Sequence, residues 1–192
     1  MSAGWPFGDL RMFGYRVILA DPPWAFENYS EAGEDRNANR HYPTMTPAEI
    51  AALPVGHLAA RDCALFLWVT DPLLDVGIDV LKGWGFRYVT VAFTWAKRTS
   101  TDAAWHLGTG YYTRANPEMC LLGIAGGMGL PNSRAVRQLI VEPVREHSRK
   151  PDRVRSDIET LFDGPHVELF ARSRRAGWES WGNEADKFGA AA

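Results

Sequence analysis

The sequence predicts an α/β fold with a largely parallel sheet covered by helices on both faces. Three observations indicate this class. Short apolar runs recur along the chain, segments with helical spacing of apolar residues alternate with them, and the first run stops abruptly at two prolines. Alternating strands and helices are typical of parallel strands in one sheet with helices packed on its faces. The pattern leaves the order of the strands open.

The first predicted strand is Tyr15 to Ala20, a continuous apolar run with β-branched residues that indicates burial on both faces. Asp21-Pro22-Pro23-Trp24 follows it. Two prolines cannot continue the strand, because neither has an N–H for the sheet ladder. Residues 25–45 are polar and lack periodicity, which predicts a long functional loop.

Helix starts follow from capping residues. Thr46 is the predicted N-cap of a short helix, with Pro47 at its first position and Glu49 in a capping box. Two further helices are predicted to begin at Asp71-Pro72 and at Pro151. The remaining strands are predicted from the apolar runs 64–70, 87–95, 118–124, 139–142 and 167–171.

The composition predicts a single globular domain over residues 1–192, with 46% apolar and 23% charged residues. A chain of this length buries about 70% of its unfolded surface. No apolar run is long enough to span a bilayer and no signal-peptide pattern begins the chain. We therefore expect a cytoplasmic protein without a membrane partner. Cys63 and Cys120 lie in apolar runs and are expected to be buried, reduced thiols.

Charge and motifs narrow the function further. The net charge of −2 argues against a protein that coats nucleic acid generally. Between Arg134 and Arg155, however, seven cationic residues face three anionic ones, a local charge of +4. Such a run is either a solvated helix face or a contact surface for phosphates. Metal-binding spacings, a P-loop lysine and a Gly-x-Ser-x-Gly elbow are all absent from the sequence.

The acidic turn Asp21-Pro22-Pro23-Trp24 is the strongest indication of chemistry. It follows a strand, and open α/β sheets bind ligands beyond the carboxyl ends of their strands. The prolines offer backbone acceptors without N–H groups, and Trp24 supplies a large flat face. Acceptors beside an aromatic ring suit a planar ring that carries an exocyclic amine, such as adenine.

Nine blocks in the same order resemble the S-adenosylmethionine-dependent adenine methyltransferases related to the seventy-kilodalton catalytic subunit of the mRNA adenosine methyltransferase. The similarity extends over roughly residues 9–185. The blocks are 21–24, 41–46, 67–70, 84–86, 95–97, 118–123, 148–152, 168–172 and 177–184.

The resemblance implies a Rossmann-like methyltransferase fold, S-adenosylmethionine as the cofactor, and the exocyclic amine of adenine in nucleic acid as the methyl acceptor. Asp21 and the Pro22 carbonyl would accept the two N–H bonds of the amine, so that its lone pair points outward. Pro23 completes the turn, and Trp24 would stack on the base. Asp21 is then an orienting acceptor rather than a strong base.

The resemblance also assigns binding residues. Those expected to bind the cofactor are Asp9, Leu10, Asp21, Lys150, Arg172, Asn183 and Glu184. Those expected to bind the substrate are Trp24, Tyr42, Arg145, His147 and Arg149. Lys150 would meet the methionyl carboxylate near the start of the helix at Pro151, and Asn183 with Glu184 would bind the ribose.

Three functions stay open from the sequence. The favoured one is methylation of adenine in nucleic acid, with DNA preferred over RNA because the chain is compact. In a duplex the base would have to be flipped out, which favours unpaired or mismatched adenine. A catalytically silent nucleic-acid-binding partner subunit is the main alternative, but the intact turn and Lys150 favour activity. A free nucleotide or a protein amide is a third substrate class, and both a homodimer and a partner subunit stay open.

Overall fold

The computed structural model describes residues 4–25, 44–146, 149–188 and 190–191. Its main strands are β1 (Tyr15–Ala20), β2 (Ala59–Val69), β3 (Arg87–Arg98), β4 (Glu118–Ala125), β5 (Leu139–Pro143) and β6 (His166–Leu169). Three shorter strands follow: β7 (Arg174–Arg175), β8 (Trp178–Trp181) and β9 (Ala190–Ala191). Within the described residues, seven strands form one sheet in the order β5-β3-β4-β2-β1-β6-β8, and β7 pairs with β9.

Most strand pairs of this sheet are parallel. Strands β1–β2, β1–β6, β3–β5 and β6–β8 run in the same direction, whereas β4 is antiparallel to both β2 and β3. The predicted α/β class with a mostly parallel sheet is therefore confirmed. Because β4 is reversed, its first residues lie at the edge where its neighbours end. Met119 pairs with Val69 of β2, and Glu118 pairs with Trp95 of β3.

Three α-helices lie in the described ranges: α1 (Pro47–Ala51), α2 (Leu74–Gly83) and α3 (Arg153–Leu161). The predicted capping box of α1 is confirmed. The Thr46 hydroxyl accepts the Glu49 backbone N–H at 3.2 Å, and the Glu49 carboxylate accepts the Thr46 backbone N–H at 2.7 Å. Residues Asp71–Leu73 form a single 3₁₀ turn ahead of α2. None of these helices is long and apolar enough to cross a bilayer.

The helices cover both faces of the sheet. On one face, Ile50 of α1 and Leu81 of α2 belong to a buried cluster that includes Leu65 of β2. On the other face, Ile158 of α3 belongs to a second cluster that includes Phe66. Successive residues of β2 thus enter opposite cores, as a strand buried on both faces requires. Each such buried side chain contributes about 1.5–3 kcal/mol, and together they hold the strand ends in fixed positions.

One strand of the sheet was not expected from the sequence. Strand β8 was not predicted, because its Trp178-Glu179-Ser180-Trp181 run is short and polar at its centre. It forms through tertiary pairing with β6, where Leu169 lies opposite Trp181.

Cys63 and Cys120 are buried free thiols, as expected. Burial raises the pKa of Cys63 to about 12, which makes this thiol unreactive at neutral pH.

Candidate active site

Four charged side chains meet at the sheet edge where β1, β2 and β3 end. The Lys150 ammonium lies 2.8 and 2.9 Å from the two Asp21 carboxylate oxygens and 3.2 Å from Glu118 Oε2. The Lys97 ammonium lies 2.5 Å from Glu118 Oε1. We refer to Lys97, Glu118, Lys150 and Asp21 as the charged tetrad. Its two cations and two anions alternate, so their formal charges cancel.

The tetrad is largely shielded from solvent. Its side chains are between 13% (Lys150) and 19% (Asp21) exposed. Burial raises the pKa of Glu118, but the attraction of Lys150 and Lys97 outweighs it and brings this pKa to about 2. Burial lowers the pKa of Lys150, but the attraction of Asp21 and Glu118 outweighs this effect. The pKa of Lys150 therefore lies above its usual range. Burial raises the pKa of Asp21, which Lys150 only partly offsets. Glu118 and Lys150 are therefore ionised at neutral pH, and of the two carboxylates Asp21 is the one that is protonated first as the pH falls.

The acidic turn is fixed by its own hydrogen bonds. The Pro22 carbonyl accepts the Trp24 N–H and the Pro23 carbonyl accepts the Met45 N–H, both at 2.9 Å. The expected pair of open backbone acceptors is thus already engaged. A carbonyl oxygen has two lone pairs, so the Pro22 oxygen retains capacity for a second donor.

Trp24 does not match the predicted open stacking face. Its side chain belongs to a buried cluster at 5% exposure, and its indole N–H donates to the Trp68 carbonyl at 2.9 Å. The indole is buried because it fills the space between the turn and the end of β2. In this arrangement Trp24 anchors the turn, and thereby Asp21, to the core.

A cleft opens beside the tetrad. Asp21 and Lys150 line it together with Trp68, Glu168 and Arg172. The Lys150 ammonium lies 5.5 Å from the centre of the Trp68 ring, a cation–π contact. Trp68, Phe170 and Phe188 are the aromatic residues that line this cleft, and Trp24 is not among its lining residues. With carboxylates and cations side by side, the cleft suits a ligand that carries charges of both signs.

The chain turns sharply where β6 ends. Phe170 adopts a φ of 61°, a left-handed conformation that side-chain-bearing residues seldom take. Such a conformation costs of order 1–3 kcal/mol and persists only where its surroundings enforce it. Here the Phe170 ring packs against Trp181 at 5.3 Å and the Ala171 N–H donates to the Trp181 carbonyl. The turn brings Arg172 to the cleft.

The other residues assigned to the cofactor lie in two places. Arg172 donates from Nε to Glu184 Oε2 at 3.0 Å, so these two are paired beside the cleft. Leu10 is buried and Asp9 is exposed, and neither lines the cleft. Their segment packs on the end of β8 through Phe7 and Trp181, whose ring centres are 5.0 Å apart. Asn183, two residues after Trp181, is exposed.

The arginines assigned to the substrate are held by carboxylates instead of standing open for phosphates. Arg145 lies 2.6 Å from Asp152 and also donates to the Lys150 carbonyl at 2.8 Å. Arg149 lies 3.2 Å from both Glu146 and Asp152. Both guanidiniums therefore brace the segment that carries Lys150. Tyr42 and His147 lie outside the described residues.

A second buried ion pair forms the floor of the cleft. Arg155 of α3, 6% exposed, donates to Glu168 of β6 at 3.1 Å and to the Ser173 hydroxyl at 3.0 Å. Burial raises the pKa of Glu168 to about 7, although Arg155 opposes this shift. The pair ties α3 to β6, next to the segments that carry Lys150 and Arg172.

Sequence reasoning missed five residues of this site: Lys97, Trp68, Glu118, Arg155 and Glu168. The signal for Glu118 and Lys97 was a charge placed at the end of an apolar strand. This signal did not predict that Lys97 and Glu118 contact each other, because the antiparallel direction of β4 could not be derived from the apolar pattern of the sequence. Within the described ranges, no group of three side chains could hold a metal ion.

Comparison with known proteins identifies relatives over nearly the whole chain. The family model MT-A70 matches residues 15–184. The chain is 34% identical over 195 residues to the type II methyltransferase M.MunI of a Mycoplasma species, covering 93% of this chain and 81% of that protein. It is 32% identical to the human N(6)-adenosine-methyltransferase catalytic subunit METTL3, covering 93% of this chain and 30% of that protein. It is 33% identical to an Arabidopsis thaliana N(6)-adenosine-methyltransferase MT-A70-like protein, of which it spans 26%.

Proposed function

The chain belongs to the MT-A70 family, and from that membership and the charged tetrad we propose that it is an enzyme that methylates the exocyclic amine of adenine in nucleic acid. S-adenosylmethionine is the proposed methyl donor, and DNA is the favoured substrate. The observation that carries the proposal is the Asp21 carboxylate, which Lys150 fixes at the edge of the cleft at 2.8 Å.

The chemistry of the cleft fits this donor. S-adenosylmethionine carries a carboxylate, an ammonium and a sulfonium, so it requires donors and acceptors next to each other. Lys150 and Arg172 offer donors, and Asp21 and Glu168 offer carboxylate oxygens. When bound there, the cofactor supplies an activated methyl group. Asp9, Leu10, Asn183 and Glu184 remain the proposed contacts for its adenosine part.

Asp21 acts on the acceptor by orienting its amine. The amine of adenine is a poor nucleophile, because its lone pair is delocalised into the ring. An N–H donated to the Asp21 carboxylate, with the second donated to the Pro22 carbonyl, turns that lone pair away from the ring plane. Lys150 and the buried Glu118 keep the carboxylate in place before the reaction. Acceptors fixed in advance in a shielded site are more effective than those that must reorganise.

Between the two polymers DNA is the proposed acceptor, and the transfer assay described below decides between DNA and RNA. The intact tetrad supports an active enzyme over a catalytically silent subunit, because a subunit that only binds nucleic acid has no need for a buried carboxylate and lysine at the cleft.

The proposal is tested by transfer of tritiated methyl groups from S-adenosylmethionine to matched single- and double-stranded DNA and RNA. We expect label in DNA, more in single strands than in duplex, and a loss of at least about 100-fold for Asp21→Ala, the size of effect seen when a preorganised catalytic contact is removed. Asp79→Ala is the matched control, since Asp79 is an 81% exposed carboxylate on α2. Equal label with Asp21→Ala, or nucleic-acid binding without any transfer, would contradict the proposal.

A further inference from the structure

The residues after Glu184, where the family match ends, fold back along the mouth of the cleft. We call residues 185–188 the C-terminal strap. Lys187 donates its backbone N–H to the Glu184 carbonyl at 2.9 Å, and Phe188 donates its own to the Arg172 carbonyl at 3.1 Å. Beyond the strap, Ala190 of β9 pairs with Arg174 of β7. The strap is thus attached along the segment that carries Arg172, and the Phe188 side chain lines the cleft.

The Phe188 ring contacts two guanidiniums, and the Lys187 ammonium lies 5.8 Å from its centre. Its centre is 5.0 Å from Arg149 Cζ and 5.2 Å from Arg172 Cζ. A guanidinium donates hydrogen bonds within its plane and is attracted to an aromatic ring over its face. The Arg149 guanidinium donates to Glu146 and Asp152. The Arg172 guanidinium donates to Glu184. Each arginine thus contacts the ring in addition to its carboxylate partners.

This ring connects the two sides of the cleft. Arg149 belongs to the segment before α3 that carries Lys150, whereas Arg172 follows β6. The carboxylates that Arg149 contacts, Glu146 and Asp152, belong to its own segment and to the N-cap of α3. Phe188 adds an apolar contact between the two sides at the mouth, where it also keeps water from the charged groups inside. Excluding water strengthens the electrostatic interactions of a ligand bound there.

We propose that Phe188 is a positioning residue for cofactor binding, holding Arg149 and Arg172 at the mouth of the cleft and closing the outer wall of the cofactor site. This inference rests on the proposed function, because it takes the cleft to be the site of S-adenosylmethionine. It adds a residue beyond the span matched by the family model.

The test compares wild type with Phe188→Ala, Phe188→Leu and Phe188→Tyr by calorimetric titration and stopped-flow dissociation of S-adenosylmethionine. Phe188→Ala is expected to raise the Kd about tenfold, because two arginines that the ring no longer holds must be ordered when the cofactor binds, and the change should come mainly from faster dissociation. The kcat at saturating cofactor and the midpoint of thermal unfolding should stay near wild type. Phe188→Tyr should restore binding, whereas Phe188→Leu should resemble Phe188→Ala, because leucine lacks the ring face.

Phe13→Ala is the matched control, since Phe13 is a 64% exposed phenylalanine whose ring contacts His57 and does not line the cleft. An unchanged Kd and dissociation rate in Phe188→Ala would overturn the proposal, and wild-type binding by Phe188→Leu would overturn the role of the ring face.

Arginine modification by phenylglyoxal, located by mass spectrometry, tests the strap without cofactor. Arg149 and Arg172 should react several-fold faster in Phe188→Ala than in wild type, and equal rates would contradict the strap. Failure of wild type to bind cofactor would count against the proposed function, while the modification rates would still judge the strap.

Discussion

Lys150 contacts both carboxylates of the charged tetrad, so its single charge stabilises two buried anions. Removing one member of a buried ion pair costs about 3–5 kcal/mol, because the partner is left charged without compensation. The same ammonium also lines the cleft. We therefore assign Lys150 two roles that cannot be separated by position: it fixes Asp21 and it offers a donor to the cofactor.

For Lys150→Met we expect a loss of about 3–5 kcal/mol in the free energy of unfolding at pH 7, together with loss of methyl transfer. The physical cause is that Asp21 and Glu118 would be buried without their shared cation. Denaturant unfolding monitored by tryptophan fluorescence measures the first effect. Lys82→Met is the control, because Lys82 forms an exposed pair with Asp79. If Lys150→Met and Lys82→Met were equally stable, the tetrad would not be the buried network described.

Glu168 gives a pH dependence whose sign follows from its raised pKa. In the unfolded chain this carboxyl titrates near its ordinary 4.5, and in the folded protein near 7. Between these values the folded state holds more protons, so stability falls as the pH rises. Glu168→Gln keeps a neutral acceptor for Arg155 and should remove this fall. The free energy of unfolding of wild type and Glu168→Gln, measured from pH 4.5 to 7.5, tests this prediction. If it fell equally steeply with pH in both proteins, Glu168 would not have a raised pKa in the folded state.

At the scale of elements, the strand ends and their turns determine the site. The turn after β1 is held by Trp24, whose indole N–H reaches the end of β2. The turn after β6 is held by Phe170 and Trp181. The segment before α3 is held by Arg145 and Arg149 on Asp152. Asp21, Lys150 and Arg172 thus project from connecting segments whose backbone is fixed by packing or ion pairs, whereas Lys97, Glu118 and Glu168 lie on the strands themselves.

Trp24 distinguishes anchoring of the turn from stacking on a base. Trp24→Ala should cost about 3–5 kcal/mol of stability, as for other buried aromatic residues. Trp24→Phe should cost less, although it leaves the Trp68 carbonyl without its donor at about 1–3 kcal/mol. If Trp24 is an anchor, the KM for oligonucleotide should change little in Trp24→Phe. Full stability of Trp24→Ala combined with a raised KM for oligonucleotide would favour the stacking role instead.

At the scale of the whole molecule, local signals in the sequence were sufficient for many elements. The bounds of β1 and the capping box of α1 were predicted directly, because an apolar run that ends at prolines and a Thr-x-x-Glu pattern depend on neighbouring residues alone. The buried thiols followed from strand hydrophobicity in the same way.

The charged tetrad could not be predicted, because it depends on strand order and direction. Glu118 reaches Lys150 only because β4 is antiparallel and starts at the edge where β3 ends. Strand β8 and the Phe188 contacts likewise depend on pairings with distant residues. The acidic turn after a buried strand indicated Asp21 and the resemblance to a known family supplied Lys150 and Arg172, whereas Trp68, Glu118 and Glu168 required the three-dimensional arrangement.

The identity of the methylated nucleoside shows whether the methyl group reaches the exocyclic amine of adenine. Single-stranded DNA is incubated with S-adenosylmethionine and wild type or Asp21→Asn, then digested and analysed by mass spectrometry against nucleoside standards. We expect N6-methyldeoxyadenosine with wild type and a large loss of it with Asp21→Asn, because the neutral amide oxygen is a weaker acceptor for the adenine amine and the side chain no longer forms the ion pair with Lys150. Methylation at a ring nitrogen, on another base, or at an equal rate with Asp21→Asn would contradict it.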